Sequence, residues 1–268
     1  MDWLDSYYDA LEFFYEEPQH LRAKTEAALE IKRLEEFAKK TKRRDQVLAH
    51  LRGMEVTLNQ NIKQFFLLAP ATFKNALFEG VFGKPGHFKE MFELQGREVD
   101  GKFRLQNCMQ PDFLFISRAE AVSIEMKIKH KCSVDQVLKY ALLGLAVELQ
   151  QENEKQHYLI LLGPGKLPEQ FPERFSSCDE LTAAVKESDL RLFLTKKQKP
   201  KRFREAEERL REIVENMQVR FLSYKHLSDI LKQAAPLQVD RSTGAEVYRN
   251  LINGLCSEID RRQLARDS

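Results

Sequence analysis

Two short apolar runs, Phe113-Leu-Phe-Ile116 and Val122-Ser-Ile-Glu-Met-Lys-Ile128, follow one another with only a polar turn, Ser117 to Glu120, between them. Runs of that length and composition, separated by a turn of that size, predict a pair of antiparallel strands. Side chains alternate faces along a strand, so Glu125 and Lys127 share one face while Ile124, Met126 and Ile128 share the other. Asp112 stands at the entry to the first strand, after Pro111. Pairing the strands brings its carboxylate towards Glu125 and Lys127. Two carboxylates that close repel each other unless a cation or a proton lies between them. Oxygen ligands of this kind favour Mg²⁺ or Mn²⁺.

A helix is predicted directly afterwards. Ser133-Val-Asp-Gln136 has the form of a capping box, and Val137, Leu138, Ala141, Leu142 and Leu145 recur at helical spacing. Gln136 and Tyr140 lie one turn apart on that helix and share a face.

Pro111-Asp112, Glu125-x-Lys127 and Gln136-x-x-x-Tyr140, in this order, resemble the PD-(D/E)xK motif of the restriction-endonuclease-like nucleases, in the RecB-like branch that carries a QxxxY element. The resemblance implies an α/β fold with a central mixed β-sheet flanked by helices. It implies that Asp112, Glu125 and the backbone carbonyl of Met126 hold Mg²⁺, with Mn²⁺ able to substitute. Lys127 is then expected to orient the attacking water or to offset charge on the phosphate. Gln136 and Tyr140 are expected to position the helix and contact nucleic acid. The family also places an acid on an earlier helix; Glu55 is the candidate and Glu79 its competitor. The implied activity is phosphodiester hydrolysis, in DNA rather than RNA. A structural reading stands beside it: Glu125 and Lys127 as the wet face of a strand, Gln136 as a cap and Tyr140 as core. In that case the chain is a catalytically silent nucleic-acid-binding or scaffold protein of the same fold.

The chain carries 43 Lys and Arg against 41 Asp and Glu, so its net charge of +2 announces no polyanion partner. Local clusters say more: Lys39–Arg44 holds five basic residues in six, and Lys196–Arg204 six in nine. Lys127, Lys129, His130 and Lys131 surround the motif, as expected of a surface that meets phosphates. Cys108, Cys132, Cys178 and Cys256 show no CxxC or zinc-like spacing and read as reduced thiols. No signal-like start and no window of membrane-spanning length is found, so a soluble cytoplasmic protein without membrane contact is expected.

The predicted organisation is a helical extension over residues 1–46 and a nuclease-like domain over 47–268, with the motif core at 47–165. The charged helices of the extension suit either packing on the chain's own core or self-association into a homo-oligomer. Further expectations are helices at Glu55 and over Phe73–Phe82, and two strands joined around Asp100-Gly101. A buried strand is expected at His157–Leu162. The C-terminal part adds α/β elements: a helix over Ser176–Lys186, a strand at Leu190–Leu194, a helix over Arg202–Asn216 and a strand at Val219–Ser223. Two helices end the chain, the last capped by Ser242.

Overall fold

The computed structural model describes residues 55–86, 92–93, 111–128, 131–196, 201–235 and 242–265. Helices α1 (Glu55–Leu68) and α2 (Ala71–Phe82) come first, followed by a two-residue strand β1 (Phe92–Glu93). Then come β2 (Phe113–Ile116), β3 (Glu120–Met126), α3 (Val134–Gln151) and β4 (Gln156–Gly163). A series of helices leads on: α4 (Leu167–Gln170), α5 (Cys178–Lys186), α6 (Leu190–Lys196), α7 (Lys201–Glu205) and α8 (Glu207–Asn216). Strand β5 (Gln218–Ser223) and helices α9 (Tyr224–Ala234) and α10 (Thr243–Arg261) complete the order. The expected 1–46 extension, the Lys39–Arg44 cluster, Lys129 and His130 lie outside the described residues. So does the hairpin around Asp100-Gly101, apart from β1. Among the described residues, no helix is long and apolar enough to cross a membrane.

Contacts divide the chain into two compact units: Met1–Phe66 with Ala235–Gln263, and Leu67–Ala234 with Leu264–Ser268. In the first unit α10 meets α1, where the rings of Phe65 and Tyr248 stack with centroids 6.4 Å apart. Arg262, buried at the end of α10, donates to Glu258 at 2.6 Å and to Thr57 of α1 at 2.9 Å. Ser242 caps α10 as expected, accepting from the Ala245 amide at 3.3 Å.

The second unit holds the sheet, in the order β1-β2-β3-β4-β5. Strands β1, β2 and β3 pair antiparallel; β3, β4 and β5 pair parallel. The chain is therefore α/β with a mixed sheet flanked by helices. Antiparallel β2 and β3 are joined by the short turn that the sequence predicts, whereas parallel β3 and β4 require a crossover, which α3 supplies. Every residue of β3 is buried, as expected for a strand covered on both faces. Leu159 and Leu161 of β4, with Ala121 of β3 and Val219 of β5, pack under α3, α5 and α8. The alternate residue Tyr158 faces α2, edge-on to Phe78 at 5.0 Å between centroids. Gly80 of α2 lies against Ile230 of α9, where an added Cβ would stand 3.2 Å from the Ile230 side chain. Helices α2 and α9 thus cover the second face.

Two C-terminal expectations are corrected. Leu190–Leu194 is the start of helix α6, not a strand: Leu190, Phe193 and Leu194 are the buried positions, at helical and not alternate spacing. The helix expected over Arg202–Asn216 is two helices, α7 and α8, parted at Ala206, whose φ of −100° and ψ of 24° leave the helical range.

Candidate active site

The site forms where β2 begins and β3 ends. Phe113 pairs with Ile124, so one step further along the same register sets Asp112 opposite Glu125. Strand pairing has stopped there, and the Asp112 side chain takes over: its Oδ2 accepts the Met126 amide at 2.7 Å. The N–H and C=O of a strand residue point to the same side. The Met126 carbonyl therefore lies on the Asp112 side of β3. Lys127 turns the other way, donating its amide to the Leu162 carbonyl of β4 at 2.8 Å.

Glu125 projects from β3 towards α3 and is buried. Tyr140, only 3% exposed, reaches it from α3, and its hydroxyl donates to Glu125 Oε2. The Lys127 ammonium stands 2.5 Å from the other oxygen, Oε1. Burial, then the negative charges of Glu125 and Asp112, push the Tyr140 phenol well above its ordinary value. The phenol remains a protonated donor.

The local sequence fixes α3 in place for this contact. Ser133 Oγ accepts the Gln136 amide at 3.3 Å and Gln136 Oε1 accepts the Ser133 amide at 3.1 Å, a reciprocal capping box. Gln136 is half-buried and occupied in that box, one turn before Tyr140. Upstream, the Cys132 amide donates to the Gln170 carbonyl at 2.6 Å, pinning the loop from β3 to α4.

Of the residues expected at the site, Asp112, Glu125, Lys127 and Tyr140 come together, with the Met126 carbonyl at the same edge. Lys131 is exposed, two residues ahead of the Ser133 cap of α3. Glu79 is exposed on α2, which covers the other face of the sheet, and it does not join the carboxylates. Glu55 opens α1, and its side chain lies outside the described residues. Two carboxylates and a carbonyl suit a hard divalent ion. Among the described residues no group of three His, Cys, Asp or Glu side chains is placed to hold a metal, so water and substrate would complete the shell.

The same end of the sheet carries basic side chains that the sequence reading did not single out. Strand β4 ends at Gly163, paired with Ser223 of β5, and the chain continues into exposed Lys166 on one side and exposed Lys225 and His226 on the other. A rim at the carboxyl ends of parallel strands is where ligands of open α/β sheets bind. Pattern reasoning had no means of finding these three residues, because only the parallel register brings them to one edge.

The opposite end holds a second charged cluster, also not foreseen. Glu148 of α3 is buried and accepts the Lys155 amide at 2.8 Å, His157 Nε2 at 2.8 Å and Arg209 of α8 through two nitrogens at 2.8 Å. Burial alone would raise its pKa, but Arg209, then His157 and the Lys155 amide, bring it down to about 2. A cleft of about 480 Å³ opens beside it, lined by Arg118, Asn153, Lys155, Gln156 and Arg209 among others. Its lining donors are turned inward: Lys155 Nζ to the carbonyls of Ser117 and Arg118, Asn153 to that of Arg118, and Gln156 to that of Asn216. This end ties α3, β4 and α8 together.

Comparison of the chain with family models, with curated proteins and with solved structures gives no match.

Proposed function

We propose that this chain is a metal-dependent nuclease of the restriction-endonuclease-like fold, hydrolysing phosphodiester bonds, with DNA as the favoured substrate. One observation carries the reading: Asp112 and Glu125 stand opposite each other at a sheet end, with Lys127 beside them and the Met126 carbonyl on the Asp112 side. Held by Asp112, Glu125 and that carbonyl, Mg²⁺ or Mn²⁺ would supply Lewis acidity to the phosphate and to the attacking water. The chain's own groups do the rest. Asp112 is aligned by the Met126 amide, and Tyr140 fixes the rotamer of Glu125. Lys127 offers an ammonium to a phosphate oxygen or to the incoming water. Lys166, Lys225 and His226 form a basic rim along which a phosphate backbone can run. Tyr140 serves by orienting a carboxylate, since its hydroxyl is buried on Glu125 and not turned towards substrate.

The test is cleavage of linear duplex, circular duplex, single-stranded DNA and RNA, with and without Mg²⁺. Asp112→Asn is the informative variant, because an amide oxygen still accepts from the Met126 N–H and the fold is kept. Wild type is expected to cut only with the metal, and Asp112→Asn to be inactive with an unchanged far-ultraviolet spectrum. Undiminished cleavage by that variant refutes the assignment.

A second reading, a scaffold protein that keeps the fold without chemistry, is favoured by one feature. Both Glu125 oxygens are already matched by protein donors. Calorimetric titration with Mn²⁺ separates the two: a site is expected in the nuclease and none in the scaffold.

A further inference from the structure

Glu125 already has a cation. Its Oε1 lies 2.5 Å from the Lys127 ammonium, and its Oε2 takes the Tyr140 hydroxyl. A buried carboxylate is costly without a cationic partner, and the Lys127 ammonium stands in contact with this one. The oxygens that a divalent ion would use are thus both engaged by this chain.

The two donors differ in what they can do. Tyr140 comes from the middle of the core, on a helix anchored by its capping box, and as a donor it carries no charge. Arrival of a dication leaves that bond intact. Lys127 sits just past the end of β3 with its side chain 15% exposed, on a flexible four-carbon stem. Its charge has the same sign as the ion's, and at such a distance like charges repel strongly. One donor stays and the other yields.

Resting on the nuclease reading, we infer that Lys127 is the site's resident counter-ion. Its ammonium holds the cation's seat on Glu125 until a divalent ion displaces it, and displacement frees the ammonium for a phosphate oxygen. Lys127 is then a positioning residue for the metal-free site as well as a participant in the loaded one. The site stays assembled without metal, and metal binding proceeds by exchange of the Lys127 ammonium for the ion.

Thermal melting and Mn²⁺ calorimetry of the full chain test this without any measurement of cleavage. Metal-free Lys127→Met is expected to melt about 5 °C below wild type, because Glu125 is left buried without a counter-charge. Lys127→Arg, which restores a cation, is expected to melt close to wild type. Saturating Mn²⁺ should close the deficit of Lys127→Met. The same variant should bind Mn²⁺ at least about tenfold more tightly than wild type, about 1.4 kcal/mol, since no ammonium has to be displaced. Lys127→Gln keeps a neutral donor for Glu125 and carries the same expectation of tighter binding should Lys127→Met fail to fold. If wild type binds Mn²⁺ but the neutral variants show no metal-free deficit, or bind the ion no more tightly, the inference falls and the nuclease reading stands. If neither wild type nor the variants bind Mn²⁺, the nuclease reading falls, and the inference with it.

Discussion

Glu148→Gln is expected to remove about 3 kcal/mol of stability at neutral pH and almost none in strong acid. The carboxylate accepts four bonds in a buried setting, two of them from Arg209. Glutamine keeps one oxygen but turns an amide N–H₂ towards an Arg209 or His157 nitrogen, so at least one charge-assisted bond becomes a donor–donor contact. Such bonds contribute about 1.5–3 kcal/mol each, and breaking one side of a buried ion pair costs about 3–5 kcal/mol. Arg209 is 27% exposed and keeps its 2.7 Å bond to Glu212, which places the loss at the lower end. The lowered pKa sets a ceiling of the same size. Glu148 is held at about 2, against an ordinary 4.5, and each unit corresponds to about 1.4 kcal/mol, so the ceiling is also about 3 kcal/mol. The sign follows from the depressed value. The contribution is fully present above pH 4.5 and is lost as the pH falls towards 2. Urea unfolding followed by circular dichroism at a series of pH values reads the difference between wild type and variant. A gap that opens near pH 2 and is complete by pH 5 is expected. Equal stability at pH 7, or a gap that does not change with pH, refutes the account.

Gly144→Ala places a Cβ 2.8 Å from His157 Nδ1 and 2.9 Å from its Cε1. Overpacking of this kind costs about 1–3 kcal/mol, and a melting temperature within a degree of wild type would show that the imidazole moves aside freely. Tyr140→Phe removes the donor to Glu125 Oε2 and is expected to weaken Mn²⁺ binding about fivefold by calorimetry, the worth of one buried hydrogen bond. Unchanged affinity would mean that core packing alone orients the carboxylate. Replacing Lys166 and Lys225 together by Ala is expected to lower DNA affinity and to reduce the salt dependence of binding by about one unit of slope per lost phosphate contact. A slope equal to that of wild type excludes the rim from the interface.

Much of the sheet could be read from the chain because its signals are local. Phe113–Ile116 and the run to Met126 are close enough for the turn itself to set the pairing, and the register then puts Asp112 opposite Glu125. Helix α3 carries its own start signal in Ser133 and Gln136. Leu190-Arg-Leu-Phe-Leu194 misleads for an equally local reason: it is a short, almost wholly apolar run that suits a buried strand or a helix alike, and only its packing against the core selects the helical face. Tyr140 was visible as part of a motif, but not what it touches. Its partner Glu125 is fifteen positions away and on another element, so the bond exists only once α3 lies on β3. Arg209 and Glu148 are separated by 61 positions, and nothing near either of them in the sequence points to the other.

The two ends of the sheet carry similar residues and handle charge in opposite ways, and this contrast supports placing the proposed metal at Asp112 and Glu125. Glu148 is matched by donors from three sources, a strand histidine, a loop amide and a helix arginine, and an ion could reach its oxygens only by dislodging more than one of them. A carboxylate tied in this way is a poor ligand, because every bond to an incoming ion would have to replace several good ones. Glu125 has one neutral donor and one ammonium on a long stem, and Asp112 takes an amide on one oxygen from a strand that has just ended. At Glu125 the exchange of Lys127 admits a new cation while the bond from Tyr140 remains. Burial and charge are common to both clusters; the capacity to exchange one partner without losing the other belongs to Glu125 and not to Glu148, and that property is what a metal-dependent site requires.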